Sequence, residues 1–142
     1  MSRGFVLDSS LALSWCFETE ATEATDEVMS SLADGVIAYV PALWAWEVNN
    51  ILCLAERSKR HSCTSRQQKL ALLQGLPIEL DKLAHQQAWG ETSRLALAYD
   101  LSAYDAAYLE MALRLDLALG SLDTRLRAAA RRAGADCLPR DI

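Results

Sequence analysis

The chain alternates short apolar runs with longer segments in which apolar residues recur every three or four positions. Short apolar runs bounded by turn residues indicate strands, and the longer segments indicate helices. We predict strands at residues 5–7, 36–40, 77–80, 117–119 and 135–138. We predict helices at residues 23–33, 41–57, 65–73, 82–98, 103–114 and 124–133. Strands that alternate with helices are typical of an α/β fold, here with a central, mostly parallel, five-stranded sheet.

The size and composition of the chain favour one folded domain, residues 1–142. With 142 residues, of which 51% are hydrophobic, the chain can bury one sizeable core and is too short for two ordinary domains. Its 4 cysteines include no Cys-x-x-Cys pair, so a structural zinc site is not indicated. The longest uncharged stretch, residues 35–46, falls short of the roughly 20 residues that span a bilayer. The opening residues do not resemble a secretion signal, and we expect a cytoplasmic protein without membrane contact.

The net charge of −5 argues against a protein that binds nucleic acid through bulk positive charge. It does not exclude an enzyme that acts on nucleic acid, because metal-binding carboxylates add negative charge that bound cations cancel. The acidic residues are therefore the first place to look for a functional site.

Three aspartates lie where the pattern predicts the carboxyl edge of the sheet. Asp8 follows the first predicted strand and Asp123 follows the fourth. Asp105 begins the helix that leads into the fourth strand, so in a parallel sheet this helix starts at the same edge. Open parallel sheets bind their ligands beyond this edge. Each aspartate also has a structural interpretation, since Asp8 and Asp123 can cap the next helix and Asp105 can complete a capping box with Ser102.

Glu47 is the most informative acid, because its helical neighbours Leu43, Trp44 and Ile51 are apolar. A glutamate is rarely buried unless it is paired or bound to a metal. The alternative is that its side chain reaches solvent past the apolar face. A group of carboxylates without histidine or cysteine suits a hard cation such as Mg²⁺ or Mn²⁺. Such a site can activate water against a phosphodiester, so hydrolysis needs no protein nucleophile.

Four segments around these acids resemble the motifs of the PIN-domain family, and in particular the toxin ribonucleases of the VapC type from bacterial toxin–antitoxin pairs. The segments are residues 6–13, 41–52, 101–109 and 121–123, the last followed by an Ala-rich helix. They occur in the family's order and span nearly the whole chain. The resemblance implies a three-layer α/β/α fold and an endoribonuclease that depends on Mg²⁺ or Mn²⁺. It also implies that Asp8 and Asp105 are the principal metal ligands, with Glu47 and Asp123 completing the acidic pocket.

The resemblance further implies a homodimer and a cognate antitoxin protein. The antitoxin is expected to lay a segment over the apolar helix at residues 44–52 and to present a basic side chain to the acidic pocket. Arg125, two residues after Asp123, and Ser121 of the fourth motif are the residues that we expect to contact the RNA substrate. We interpret most basic residues within 57–69 as a solvated helix face, and Arg127, Arg131 and Arg132 as a helix end whose positive charges match the helix dipole. Asp100 and Asp116 occupy positions where the family often has glycine or a small polar residue, and we interpret Asp100 as part of a solvated turn.

Other families that gather acids at a sheet edge fit this sequence less well. A receiver domain needs paired acids after the first strand and a lysine after the last, but serines follow Asp8, and Pro139 and Arg140 follow the last strand. A haloacid-dehalogenase-like phosphatase needs a second aspartate at the position of Ser10. A non-catalytic PIN-fold module for binding or scaffolding stays open, since a fold does not determine a function.

Overall fold

A central sheet of five parallel strands organises the computed structural model, which describes residues 3–142. The strands are β1 (Gly4–Leu7), β2 (Ile37–Val40), β3 (Ile78–Leu80), β4 (Ala118–Gly120) and β5 (Cys137–Leu138). All five predicted strands are confirmed within one or two residues. Helices cover both faces of the sheet, which gives the three-layer α/β/α fold.

Seven α-helices connect and flank the strands. They are α1 (Ser9–Ser14), α2 (Glu23–Ser31), α3 (Leu43–Arg57), α4 (Cys63–Gln74), α5 (Glu91–Tyr99), α6 (Ala103–Leu115) and α7 (Thr124–Arg132). Helix α1 was not predicted, because six residues are too few to show helical periodicity. None of the helices within residues 3–142 is long and apolar enough to cross a membrane.

The predicted helix at residues 82–98 is wrong over its first half. Residues His85–Gln87 form a 3₁₀ turn, and α5 begins only after Gly90. The Asp81 side chain accepts a hydrogen bond from the Leu83 N–H at 3.3 Å, and such local bonds compete with helical bonding. Glycine is also a poor helix former, so Gly90 separates the turn from the helix.

The strand order β3-β2-β1-β4-β5 determines where a ligand can bind. The chain runs outward from β1 to β3, then returns and places β4 on the other side of β1. Open parallel sheets bind ligands at the point where the strand order reverses. Asp8 follows β1 and Ser121 follows β4, so the two loops that carry them flank this point.

Helix α6 forms much of the core and ends in a buried ion cluster. Tyr108, Leu109 and Met111 of this helix are fully buried. One turn later, Arg114 Nε donates to the buried Glu110 carboxylate at 2.8 Å, and the Arg114 guanidinium also pairs with Asp81, which follows β3. The ion cluster of Asp81, Glu110 and Arg114 therefore ties α6 to the end of β3.

Candidate active site

Asp8 lies at the reversal point, where β1 ends and α1 begins. Its side chain is 4% exposed and accepts a hydrogen bond from the Leu11 N–H at 3.1 Å, which caps α1. Ser10 Oγ donates to Asp8 Oδ1 at 2.6 Å, and Ser121 Oγ donates to Oδ2 at 2.5 Å. Burial raises the pKa of Asp8 above its ordinary value, and the two serine hydrogen bonds only partly offset that effect. Both carboxylate oxygens of Asp8 are thus oriented by hydroxyl groups.

The loop after β4 is joined to the loop after β1 by the same two serines. The Leu122 N–H donates to Ser10 Oγ at 2.9 Å, and the Asp123 N–H donates to Ser121 Oγ at 3.0 Å. Asp123 itself accepts from the Leu126 N–H at 3.0 Å and caps α7. Asp8 and Asp123 therefore do cap helices, and the same role places both carboxylates at one edge of the sheet.

Glu47 of α3 reaches this edge as a half-buried side chain rather than escaping fully to solvent. The Tyr108 hydroxyl of α6 donates to Glu47 Oε1 at 2.5 Å. Burial raises the pKa of Glu47, the Tyr108 hydrogen bond opposes this, and the negative charges of Asp105 and Asp8 raise it further. A glutamate inside an apolar helix is thus held by one neutral partner and crowded by other acids.

Asp105 begins α6 beside the same group. Ser102 caps this helix by accepting from the Asp105 N–H at 3.0 Å, so the backbone half of the predicted capping box is present. The Asp105 carboxylate is half-buried, and its pKa is raised by burial and then by the charges of Asp123 and Asp8, with Arg125 opposing. The four predicted acids therefore lie close enough to repel one another. None of them forms a salt bridge with a basic side chain within residues 3–142.

The donor chemistry of this edge fits a hard divalent cation. All four acidic groups offer oxygen ligands, and mutual repulsion raises the proton affinity of Glu47 and Asp105 in a way that a cation would relieve. As the side chains stand, however, no group of three or more His, Cys, Asp or Glu residues in the described chain could hold a metal ion.

The two residues predicted to contact substrate have different surroundings. Arg125 is exposed near Asp105 and donates to Asp100, to the backbone oxygen at 2.8 Å and to the carboxylate at 3.1 Å. Asp100 is fully solvated and ends α5 in the left-handed region, as predicted for a solvated turn. Ser121 is fully buried with its hydroxyl bonded to Asp8, so it lies behind the acids rather than in front of them.

Sequence reasoning missed three residues that position this edge: Ser10, Tyr108 and Arg127. Arg127, interpreted as part of a basic helix end, is buried and donates to the backbone oxygens of Ser121 at 2.9 Å and Pro139 at 2.7 Å. It therefore joins the loops after β4 and β5. Its signal in the sequence was its place on the apolar side of α7, next to Leu126 and in line with Ala130.

Comparisons with known proteins agree with this architecture. The family described as PIN domain matches residues 5–132. Among solved structures, the chain is similar to the crystal structure of PAE2754 from Pyrobaculum aerophilum, with a TM-score of 0.69 and 20% sequence identity over 96% of this chain and 92% of that chain. At this identity the likeness shows the fold alone. The comparison with curated proteins gave no match.

Proposed function

This chain belongs to the PIN-domain family, whose members are typically nucleases, and on that premise we propose that it is a Mg²⁺- or Mn²⁺-dependent endoribonuclease. The observation that carries the proposal is the meeting of Asp8, Glu47, Asp105 and Asp123 at the reversal point of the sheet. These acids repel one another and lack a basic partner within residues 3–142. A protein that needed these carboxylates only for stability would gain by pairing them with a cationic side chain.

In the proposed enzyme, Asp8 and Asp105 would be the principal ligands of the cation, and Glu47 and Asp123 would complete the pocket directly or through water. The cation would supply an activated water and would stabilise negative charge on the leaving oxygen of a phosphodiester. No protein nucleophile is then required, which agrees with a site built from carboxylates and hydroxyls.

The remaining residues orient these groups and the substrate. Ser10 and Ser121 fix the two oxygens of Asp8, and Tyr108 fixes Glu47. Because the Ser121 hydroxyl is buried against Asp8, we propose that Ser121 acts through Asp8 rather than on RNA directly. Arg125 is placed to bind a phosphate, because its present partner Asp100 is fully solvated and such surface pairs contribute little.

The test is cleavage of a labelled single-stranded RNA by the purified protein. We expect products with Mg²⁺ or Mn²⁺ and none in excess EDTA. Asp8→Asn, purified in the same way, serves as the control for a contaminating nuclease. Undiminished cleavage in EDTA would refute metal dependence. Absence of cleavage by the parent protein under every metal condition would favour the non-catalytic binding module.

We also propose that the enzyme is the toxin of a toxin–antitoxin pair, acting as a homodimer. Glu47, Ile51 and Leu54 share one stripe of α3, and the two apolar side chains are more than a third exposed. An antitoxin segment along this stripe would bury them and bring an arginine to the acids, where its planar fork suits carboxylates. Strong expression of the chain alone, in a host without the partner, should stop growth, and Asp8→Asn should not. Unimpaired growth with the parent chain would remove the toxin role and leave the nuclease proposal standing.

A further inference from the structure

An apolar cleft of about 290 Å³ lies between the beginnings of α3, α5 and α6. Its walls include Pro41, Leu43, Ala103 and Ala107, and also His85 of the 3₁₀ turn before α5. The cleft contains none of the four acids, yet it is lined by the two helices that carry Glu47 and Asp105. It is therefore a separate space that opens next to the site of the proposed reaction.

Two exposed aromatic side chains line this cleft, and each directly precedes an acid in the sequence. Trp46 precedes Glu47 and is 72% exposed, and Tyr104 precedes Asp105 and is 65% exposed. Consecutive residues of a helix point in different directions, so each ring lies on the helix face next to the one that carries the acid. Two exposed aromatic rings at one cleft form an apolar surface on which a flat partner can stack.

A buried hydroxyl in the lining lacks a hydrogen-bond partner. Thr92, near the start of α5, is 3% exposed, and its Oγ1 has no partner within residues 3–142. A buried polar atom without a hydrogen bond is destabilising, and such atoms are rare in folded proteins. A ligand that enters the cleft and offers a donor or acceptor would satisfy this hydroxyl.

We propose that the cleft holds one unstacked base of a single-stranded RNA, with the base against Trp46 and Tyr104 and its polar edge toward Thr92. The inference rests on the proposed nuclease function and names how that site holds its substrate. A base has flat faces for the two rings and hydrogen-bonding groups on its edge, so it suits both features of the lining. An apolar side chain of a protein partner would leave Thr92 unsatisfied, and the described lining has no lysine or arginine for a phosphate.

Single-stranded nucleic acid is the class of substrate that this geometry selects. Bases in a duplex are stacked and paired, so they cannot enter a side cleft without unstacking. Stacking on protein aromatic rings is tolerant of sequence, because every base has a π face. The cleft therefore holds the strand in register at the acids with a preference for single strands over duplex RNA.

The test measures equilibrium binding of labelled ten-nucleotide RNAs by fluorescence anisotropy, in the Asp105→Asn background, in which the proposed function predicts no cleavage. Within that background, Trp46→Ala is compared with Trp89→Ala, which removes a 98% exposed indole outside the cleft lining. Loss of one stacked base should weaken single-strand binding by about 5- to 100-fold for Trp46→Ala. Trp89→Ala should change it less than about twofold. Both residues are exposed, so neither change should prevent folding.

A second probe carries one abasic position, moved along the strand in turn. At the position that occupies the cleft, loss of the base should weaken binding to the Asp105→Asn protein. Adding Trp46→Ala should then weaken binding of the same abasic strand only slightly further. Thr92→Val, which removes only the hydroxyl, should leave the melting temperature unchanged or raised while weakening binding to the intact strand.

Two results would overturn the inference. In one, Trp46→Ala weakens intact and abasic strands equally at every position. In the other, Trp46→Ala leaves RNA binding unchanged but turns a dimer into a monomer on light scattering, which would make the cleft an interface between two copies of the chain. Failure of the nuclease proposal has a different signature. Asp105→Asn would then cleave RNA like the parent, whatever Trp46 does.

Discussion

Two groups of buried carboxylates in this protein have opposite surroundings. In the ion cluster at the end of α6, Glu110 is 2% exposed and Asp81 is nearly as buried, and both bind Arg114. In the acidic site, Asp8 is equally buried, and Glu47 and Asp105 are half-buried. The carboxylates of Asp8 and Glu47 accept their hydrogen bonds from hydroxyl and N–H groups rather than from a cationic side chain. The first group contains its own counter-ion, and the second does not within residues 3–142.

We infer from this difference that the two groups have different roles. A buried charge is very costly unless it is paired, and the ion cluster meets that requirement inside the chain. In the acidic site, by contrast, the pKa values of Asp8, Glu47 and Asp105 are raised, and burial is the largest cause at each of the three. Groups held in an unfavourable charge state at a cleft edge are typical of functional sites. The missing counter-ion is, in our proposal, the divalent cation.

The largest expected effect is the loss of activity in Asp105→Asn. Asparagine removes the charge that holds the cation, so cleavage should fall by more than about 100-fold, since even groups that only orient metal ligands contribute about 10- to 100-fold. In EDTA, the variant should melt at or above the parent temperature, because the repulsion from Asp123 and Asp8 is relieved. The measurement pairs thermal melting without metal with cleavage in Mn²⁺.

The matched control for Asp105 is Asp26→Asn, an exposed acid in the first turn of α2. That change should cost about 1 kcal/mol or less of unfolding free energy and leave cleavage unaltered. If Asp105→Asn behaved like Asp26→Asn in both measurements, Asp105 would be a helix-end residue only. Glu47 and Asp123 would then lose their main support as site residues.

The next effect concerns the ion cluster, where the cation is a side chain. Arg114→Met leaves Glu110 and Asp81 buried without a counter-ion and should lower the free energy of unfolding by about 3 kcal/mol. The value is at the low end of the usual range, because Arg114 keeps 22% exposure. Chemical denaturation measures it. The triple change Arg114→Met with Glu110→Gln and Asp81→Asn should recover most of the loss, and failure to recover would show that Arg114 acts by packing rather than by charge.

The sheet could be predicted because its signals are local. Each strand is a short apolar run between turn residues, and alternation with helices leaves a parallel sheet as the simplest arrangement. The edge positions of Asp8, Asp105 and Asp123 followed from chain direction alone. The turn before α5 was missed because the Asp81 side chain and Gly90 outweigh the weak helical pattern between them.

The partners of the acids could not be predicted, because they come from distant parts of the chain. Ser121 lies 113 positions from Asp8, and Tyr108 lies 61 positions from Glu47. No spacing rule relates such pairs. Asp100 and Asp116, in contrast, depart from the family's small residues at positions with φ of 53° and 54°, where glycine would be unstrained. Asp100 was interpreted as part of a solvated turn, and both positions are helix C-caps in the left-handed region.

A smaller expected effect is the pH dependence of the melting temperature. The folded-state pKa of Asp105 is raised above its ordinary 3.8, so the folded state binds a proton at Asp105 more tightly than the unfolded state does. The resulting contribution to the free energy of unfolding is fully present at pH values below the ordinary pKa. It is lost as the pH rises through the raised pKa. In EDTA, the melting temperature of the parent minus that of Asp105→Asn should therefore fall as pH rises from about 4 to about 7.

Saturating Mn²⁺ should reverse the sign of this dependence, because a metal ligand must be ionised. The parent should then gain stability over Asp105→Asn as pH rises, by about 2.7 kcal/mol where the metal stands at 100 times its dissociation constant. Asp26→Asn should follow the parent at every pH. A difference between parent and Asp105→Asn that does not vary with pH or metal would place Asp105 outside any charge cluster.

The smallest expected effect concerns the ion pair of Asp100 and Arg125, which has a cationic partner like the ion cluster but is exposed to solvent. Here a carboxylate has an arginine partner, but the side chains are 99% and 72% exposed, so solvent screens the attraction. Asp100→Asn should change the free energy of unfolding by less than about 0.5 kcal/mol, and asparagine tolerates the left-handed backbone of this position. It frees Arg125 for a phosphate and removes one negative charge near the acids, so KM for RNA should fall by a few-fold at low salt and return toward the parent value as salt is raised.

The matched control is Asp116→Asn, which changes the same residue type in the same conformation at the opposite end of α6 from Asp105. Its KM should equal that of the parent at every salt concentration. Equal KM values for both variants at low salt would show that Arg125 does not bind the substrate.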